Sequence, residues 1–314
     1  MARISLQDRI LSPPPSPEDF VRRGKPRWLR ARVPQGQAYT DLKELMGGGG
    51  LHTVCEEAKC PNIGECWSAG VATLMILGDT CTRSCGFCNV KTGAPPQLDH
   101  DEPCRAADAV RRMNLAFVVI TSVNRDELAD GGAGIWAETI RRTREASPRT
   151  RIEVLIPDFC GDWDALQKVI DARPDILAHN LETVRRLHPA VRPQAKYERS
   201  MEVLRRATEK RLTTKTGIMV GIGERDEEVV ELMRDVQEMT RVDGPGSTSA
   251  CSILTVGQYL QPSANHLPVQ RFVHPDVFTE YKRAGEAMGF AHVESGPMVR
   301  SSYLADRQAA AGGV

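Results

Sequence analysis

The chain has 314 residues, 41% of them hydrophobic, which is enough for one large α/β domain or two smaller ones. Its 41 basic and 41 acidic residues cancel, which argues against a general attraction to nucleic acid. The sequence has no apolar run of membrane-spanning length and no apolar N-terminal signal segment. Nine cysteines are many for such a chain, and we expect a cytoplasmic protein whose clustered cysteines bind metal.

The first 50 residues are predicted to form an extended N-terminal arm. The run Ser12–Pro17 is rich in proline, which is incompatible with a helix or a central strand. A basic run between Arg22 and Arg32 follows, and it is typical of a solvated tail, with contact to an acidic protein as the alternative. A short helix is predicted over Tyr39–Met46, where four glycines, residues 47–50, end it.

Two cysteine triplets come next, one in a segment spanning residues 51–70 and one shortly after it. They are Cys55, Cys60 and Cys66, spaced C-x4-C-x5-C, and Cys81, Cys85 and Cys88, spaced C-x3-C-x2-C. A [4Fe–4S] cluster normally takes four cysteines, one per iron, so each triplet leaves one iron without a cysteine. An open metal position is where small-molecule chemistry takes place. The spacing therefore predicts two clusters.

Three other interpretations of the triplets are a zinc knuckle, disulfides and a single shared cluster. A zinc knuckle usually needs a second C-x-x-C or a histidine at finger spacing, and neither follows Cys88. Disulfides are disfavoured by the odd cysteine count and the lack of a secretory segment. A single cluster that draws ligands from both triplets would leave thiolates unused.

After residue 70 the sequence alternates between short apolar strands and charged helices. Strands are predicted at Leu74–Leu77, Phe117–Thr121, Ile152–Ile156, Ile176–Ala178, Thr216–Val220 and Ser252–Val256. Helices are predicted near residues 102–113, 133–146, 162–172, 198–210, 225–240 and 275–288. This alternation indicates parallel βαβ units, and six are too few for a closed eight-stranded barrel. The second triplet follows the first strand, at the C-terminal edge where barrel active sites lie.

The expected fold is therefore a partial (β/α)6 TIM-type barrel over residues 71–290. An N-terminal extension and a C-terminal tail, residues 291–314, are expected to cover its open side. Polar loops follow several strands: Gly131 and Gly132 lie in one, and Asn180 and Glu182 lie in another. Turn formation and helix capping would account for such residues, and ligand binding is the alternative.

The C-x3-C-x2-C spacing, with Phe87 just before the last cysteine, resembles the signature of the radical S-adenosylmethionine (SAM) enzymes. In these enzymes the open iron chelates SAM, and an electron from the cluster cleaves SAM to a 5′-deoxyadenosyl radical. Phe87 would give a flat apolar surface beside that iron. The resemblance implies that Gly131 and Gly132 meet the methionine amino group through their backbone. It also implies that Asn180 and Glu182 contact the ribose or methionine moiety.

Both triplets in this order, with Arg300-Ser301-Ser302-Tyr303 near the C-terminus, resemble the lipoyl synthase family. The resemblance runs from about Lys25 to Asp306. It implies that the first triplet and Ser302, with Ser301 as the alternative, hold an auxiliary [4Fe–4S] cluster. An alkoxide is a harder ligand than a thiolate and should dissociate more readily, which suits a cluster that must be dismantled. Thr216 stands where the family usually has serine, and the hydroxyl is kept.

The reaction implied is insertion of two sulfur atoms at C6 and C8 of a protein-bound octanoyl chain, with the auxiliary cluster sacrificed as sulfur donor. No catalytic side chain is expected beyond the cluster ligands, because no side-chain base can remove such unactivated protons. The implied partners are octanoylated lipoyl carrier domains (E2 subunits of dehydrogenase complexes and the glycine cleavage H protein), an electron donor and a cluster repair protein. The alternatives are a biotin-synthase-like enzyme, an iron–sulfur scaffold or electron carrier, and a zinc-binding interaction module.

Overall fold

The structure, a computed structural model, describes residues 25–30, 40, 51–57, 60–68, 71–244 and 247–313. The Ser12–Pro17 run, the glycines at 47–50 and all of the predicted helix Tyr39–Met46 except Thr40 therefore lie outside the described residues. The predicted arm is represented mainly by residues 25–30, where the Trp28 ring lies 5.2 Å from the His274 ring, edge to face.

The described chain contains twelve strands and ten α-helices. The strands are β1 (His52–Thr53), β2 (Thr73–Ile76), β3 (Thr80–Cys81), β4 (Lys91–Thr92), β5 (Phe117–Ser122), β6 (Arg151–Leu155), β7 (Ile176–Ala178), β8 (Thr213–Val220), β9 (Val242–Gly244), β10 (Ser247–Ser249), β11 (Ile253–Gln258) and β12 (His292–Gly296). The helices are α1 (Val54–Glu57), α2 (Ile63–Ser68), α3 (Glu102–Met113), α4 (Ala133–Ala146), α5 (Trp163–Asp171), α6 (His188–Val191), α7 (Tyr197–Glu209), α8 (Asp226–Met239), α9 (Pro275–Ala287) and α10 (Ala305–Ala311).

Eight of the strands form one sheet, in the order β1-β2-β5-β6-β7-β8-β11-β12. β1 is antiparallel to β2, whereas every pairing from β2 to β12 is parallel. β1 and β12 are the two ends of this sheet and do not pair with each other, so the barrel is open on one side. The predicted partial TIM-type barrel is therefore confirmed.

All six predicted strands and all six predicted helices are present, with bounds that differ by at most three residues. The sheet has two further strands that the sequence did not predict. β12 was missed because only Val293 of its five residues is fully buried, so it lacks an apolar run. β1 was missed because two residues are too few to give a pattern.

Local chemistry accounts for where two barrel helices begin. Asp162 caps α5, and its carboxylate accepts the amides of Asp164 and Ala165 at 3.0 and 3.1 Å. α9 begins at Pro275, whose missing N–H is one of the donors that a first helical turn leaves unpaired. Both starts agree with the sequence, which offers aspartate and proline at these positions.

The barrel interior holds a buried ion pair between two strands. Lys215 of β8 donates to both carboxylate oxygens of Glu153 of β6, at 2.8 and 2.9 Å. The two side chains are 0% and 1% exposed. Water is therefore excluded from this level of the interior.

The C-terminal extension closes one mouth of the barrel. Ala305 and Ala309 of α10 pack against Phe117, Ile176 and Ile253, which are the first residues of β5, β7 and β11. α10 therefore covers the N-terminal mouth, opposite the edge where barrel active sites lie.

Candidate active site

The second cysteine triplet follows β2 at the C-terminal edge of the barrel, with Cys81 at the end of the short strand β3. The Cys88 amide donates to the Cys85 carbonyl at 3.1 Å, and the Gly93 amide donates to the Cys81 carbonyl at 3.0 Å. The three thiols are close enough to interact electrostatically, and burial raises the pKa of Cys88 to about 12. The structure thus brings together the residues predicted to hold the SAM cluster.

Hydrogen bonds and ion pairs fix the start of the segment that carries this triplet, residues 81–88, which we call the cluster loop. The amides of Arg83 and Asn124 point at the Cys81 sulfur from 3.4 and 3.3 Å. The buried Arg83 guanidinium donates to Asp126 at 2.6 Å and to Asp158 at 2.7 Å. Burial alone would raise the pKa of the Asp158 carboxyl, but the Arg83 cation outweighs it and holds that pKa well below its usual range. Asp158 therefore stays charged and anchors the loop.

A loop between β11 and α9 closes over the same cysteines. The Leu267 amide donates to the Gly86 carbonyl at 3.0 Å, and His266 Nε2 lies 2.9 Å from the Cys88 carbonyl oxygen. A Cβ at Gly86 would lie only 2.7 Å from Leu267 Cδ1. Any larger residue at this position would therefore have to displace the Leu267 side chain.

The residues predicted to contact SAM lie around this loop. Phe87 packs beside an apolar cluster that includes Ile222 and Tyr259. Glu182 has a positive φ of 67°, and the Asn180 amide donates to its carboxylate. Burial raises the pKa of Glu182, which the Arg192 cation opposes.

Arg192 is a site residue that the sequence analysis missed. Its guanidinium donates to the Asn180 carbonyl at 2.6 Å. Burial raises the pKa of the Cys85 thiol, and the nearby Arg192 cation opposes that rise. Its Nε is buried without a hydrogen-bond partner within the described structure. The arrangement leaves a donor for an anionic group. No strand-end signal marks this position, which follows the short helix α6.

Ser122 and Asn124 were also missed, although both lie where β5 ends. Ser122 Oγ and Asn124 Oδ1 are buried and have no partner among the described residues. Their position at the carboxyl end of a predicted strand was the available signal. They give the cluster loop a polar neighbour on the β5 side.

The glycine pair has a clear structural role. Gly131 and Gly132 have φ values of 58° and 86°, in the left-handed region that favours glycine. The Gly131 amide donates to the Leu128 carbonyl, and the Gly132 amide donates to Asp130 Oδ1, both at 3.0 Å. A protonated amino group is a hydrogen-bond donor, so any contact with it must come from the carbonyl oxygens of this pair. The predicted SAM contact of this pair stays a prediction.

The first cysteine triplet is also brought together, around α1 and α2. The Cys60 amide donates to the Cys55 carbonyl at 3.0 Å, and the thiols of Cys55, Cys60 and Cys66 interact with one another. Burial raises the pKa of all three, that of Cys66 to about 12. Three buried neutral thiols fit a metal centre, because coordination removes the thiol proton and replaces the lost solvation.

The C-terminal tail runs alongside this triplet and contacts it on both sides of the serine pair. Asn62 donates to the Met298 carbonyl at 2.6 Å. The Arg300 guanidinium, whose pKa is lowered by burial, lies near the Cys60 thiolate. Beyond the serines, Tyr303 hydrogen-bonds Glu65, and the Leu304 amide points at the Cys66 sulfur. Ser301 and Ser302 are therefore held between contacts to the triplet segment.

Within the described ranges, no group of three or more His, Cys, Asp or Glu side chains is placed to hold a single metal ion. A [4Fe–4S] cluster is a different case, because each cysteine binds a separate iron and the sulfurs are spread around the cluster.

The cysteine loop at the C-terminal edge of an open parallel barrel defines a radical SAM protein. The sequence profile of the radical SAM superfamily matches residues 75–236, more than half of the chain. The profile of the N-terminal domain of lipoyl synthase matches residues 16–60. The solved structures of HydG, a maturase of the [FeFe]-hydrogenase, and of Streptococcus suis SuiB bound to precursor peptide SuiA share the fold. Their TM-scores are 0.54 and 0.50, at 16% and 10% identity, over 70% of this chain and 50% and 47% of theirs.

Similarity to curated relatives identifies the family within this class. The chain is 56% identical to the lipoyl synthase of Rubrobacter xylanophilus, over 98% of this chain and 96% of that protein. It is 54% identical to the lipoyl synthase of Bacillus subtilis, over 90% of this chain and 93% of that protein. The chain belongs to the lipoyl synthase family.

Family membership makes the chain a radical SAM enzyme with a [4Fe–4S] cluster and SAM as cofactors. Its reaction inserts sulfur into a protein-bound octanoyl chain to give the lipoyl group. Across the part of the chain that the structure describes, no helix is long and apolar enough to cross a membrane.

Proposed function

We propose that this enzyme carries two [4Fe–4S] clusters and uses the auxiliary one, held by the first triplet, as the sulfur source for C6 and C8 of the octanoyl chain. The observation that carries the proposal is the docking of the tail onto the first triplet, with contacts from Met298 and Arg300 before the serines and from Tyr303 and Leu304 after them. These contacts support a serine hydroxyl of the tail as the fourth ligand that the three thiols lack.

The second triplet would hold the SAM cluster, with Cys81, Cys85 and Cys88 each on one iron. When bound, this cluster and SAM supply the carbon radical that abstracts hydrogen from an unactivated C–H bond. The protein itself positions the reacting groups and excludes water from them. Phe87 provides an apolar surface, and Asn180 and Glu182 provide polar groups. The Nε–H of Arg192, which has no partner among the described residues, can donate a hydrogen bond to a carboxylate.

The first triplet and Ser302 would hold the auxiliary cluster, with Ser301 as the alternative. Three thiolates and an alkoxide add negative charge to a buried place, which is costly without compensation. The partly buried Arg300 cation beside Cys60 supplies that compensation. The hydroxyl is the weakest of the four ligands, so this corner of the cluster is the one expected to open first.

The partners remain part of the proposal. The protein that carries the octanoyl chain would be a lipoyl carrier domain, on an E2 subunit or the glycine cleavage H protein. An electron donor is required to reduce the SAM cluster, and a repair protein is required because the auxiliary cluster is consumed. All nine cysteines are free thiols, which suits a reducing cytoplasm. The division into segments 1–50, 51–70, 71–290 and 291–314 also belongs to this proposal.

The test is an iron and sulfide count after anaerobic purification and reconstitution. We expect about eight of each per chain, from two cubane clusters. Replacing Cys55, Cys60 and Cys66 with alanine should lower the count to about four. That variant should still cleave SAM to 5′-deoxyadenosine but should no longer insert sulfur.

Two outcomes bear on the details. A count of about four in the unmodified enzyme would refute the auxiliary cluster. Ser302→Ala should weaken retention of the auxiliary cluster, and Ser301→Ala is its matched control. The reverse result would move the ligand to Ser301.

A further inference from the structure

The tail runs from one mouth of the barrel to the other. At the C-terminal edge, Val299 lies so close to Gly257 of β11 that a Cβ there would collide with its carbonyl. Six residues later, Ala305 lies at the N-terminal mouth, against Ile253, the first residue of the same strand. The serine pair lies between these two fixed points. Its position therefore depends on both ends of the tail.

The fixed point at the N-terminal mouth is tightly packed. Ala305 and Ala309, one helical turn apart, are 0% and 1% exposed against the first residues of the strands. A Cβ at Gly312 would lie 2.7 Å from Ile253 Cδ1, so even one added methyl group has no room beside this helix. A small change in side-chain volume here must move the helix or the strands.

The link between the helix and the serines is short and constrained. Leu304 precedes α10 in the left-handed region, with φ 45° and ψ 48°, which is rare for leucine. Gln308 of α10 donates to the Tyr303 carbonyl at 2.6 Å, next to the residue whose amide points at Cys66. A shift of α10 is therefore transmitted to Tyr303 and Leu304 rather than absorbed by a flexible turn.

We propose that α10 is the positioning element for the serine ligand: its insertion into the N-terminal mouth sets where Ser301 and Ser302 lie against the first triplet. This rests on the proposed auxiliary cluster. Ala305 and Ala309 are positioning residues, since they act through the tail and touch neither cluster. Nothing in this role requires α10 to contact substrate.

The test compares two leucine substitutions on adjacent residues of this helix, made in the full chain. Ala309→Leu forces the helix out of the mouth, whereas Ala310→Leu adds the same volume at an exposed position. We expect reconstituted Ala309→Leu to hold about half the iron and sulfide of the unmodified enzyme, and Ala310→Leu to match it. 5′-Deoxyadenosine formation, which reports on the barrel and the SAM cluster, should persist in both variants.

A second readout uses the apo-protein and does not depend on activity. Amide hydrogen exchange of residues 298–304 should be at least about tenfold faster in Ala309→Leu than in Ala310→Leu, because the tail is no longer held at the N-terminal mouth. If Ala309→Leu does not fold, Ala309→Val replaces it, with the same direction expected.

The outcomes separate the two proposals. If the unmodified enzyme itself holds about four irons, the auxiliary cluster fails and takes this inference with it. If the unmodified enzyme holds about eight and Ala309→Leu also does, the positioning role is overturned while the proposed function stands. Unchanged exchange in residues 298–304 would overturn the positioning role as well.

Discussion

The ion pair inside the barrel gives the sharpest prediction on stability. Lys215→Met removes the cation and leaves the Glu153 carboxylate 1% exposed, without the amine that donates to both of its oxygens. Breaking a buried pair by removing one partner typically costs about 3–5 kcal/mol, because the remaining charge is neither solvated nor paired. We expect a loss of about that size in the free energy of unfolding.

The double variant Glu153→Leu/Lys215→Met should recover most of this loss. Replacing both members of a buried pair with apolar residues is often neutral or stabilising, since neither charge is then desolvated. An exposed pair serves as the matched control. Arg142 donates to Glu138 at 2.6 Å on the surface of α4, where water solvates both charges, so Arg142→Met should leave the free energy of unfolding almost unchanged.

The assay is urea unfolding of the apo-proteins at neutral pH, followed by circular dichroism. If Lys215→Met were as stable as the unmodified protein, the interior at this level would have to admit water, and the reasoning would be refuted. If the double variant were as unstable as the single one, the pair would contribute through specific shape rather than through charge burial.

Three further predictions concern the cluster loop and its surroundings. Arg83→Lys keeps the charge but loses the fork that reaches both Asp126 and Asp158, so the second triplet should retain less iron per chain after reconstitution; an unchanged count would show that the charge alone suffices. Gly86→Ala should slow SAM cleavage at least about tenfold, because Leu267 must move by more than a few tenths of an ångström; an unchanged rate would show that the loop yields freely. Burial lowers the pKa of His179 from 6.5 to about 4, so the unfolded chain takes up a proton first as the pH falls. The fold should therefore lose about 3 kcal/mol between pH 6.5 and 4, and urea midpoints measured across that range should show less loss in His179→Gln.

The barrel was predictable because its signals are local. Apolar runs such as Phe117–Thr121 and charged segments such as residues 133–146 show their periods within a few residues. The site was predictable only where a spacing carried it, as in the two triplets. Arg192 was not, because its role depends on where a loop after α6 meets the cluster loop in space. The packing of Ala305 and Ala309 in the N-terminal mouth gave no sequence signal, because two alanines one turn apart do not form a recognisable apolar face.

The contacts of the tail have a consequence for the order of assembly. Asn62 and Met298 are 236 residues apart in sequence, and every strand of the sheet from β2 to β12 lies between them. During synthesis the first triplet emerges early, but its proposed serine ligand emerges only after the last barrel strand. Closing so long a loop is entropically slow, so the barrel can form while its N-terminal mouth is still open. The proposed auxiliary site is then the last part of the molecule to acquire its shape, and iron delivered before that moment would meet three of its four proposed ligands and an open side.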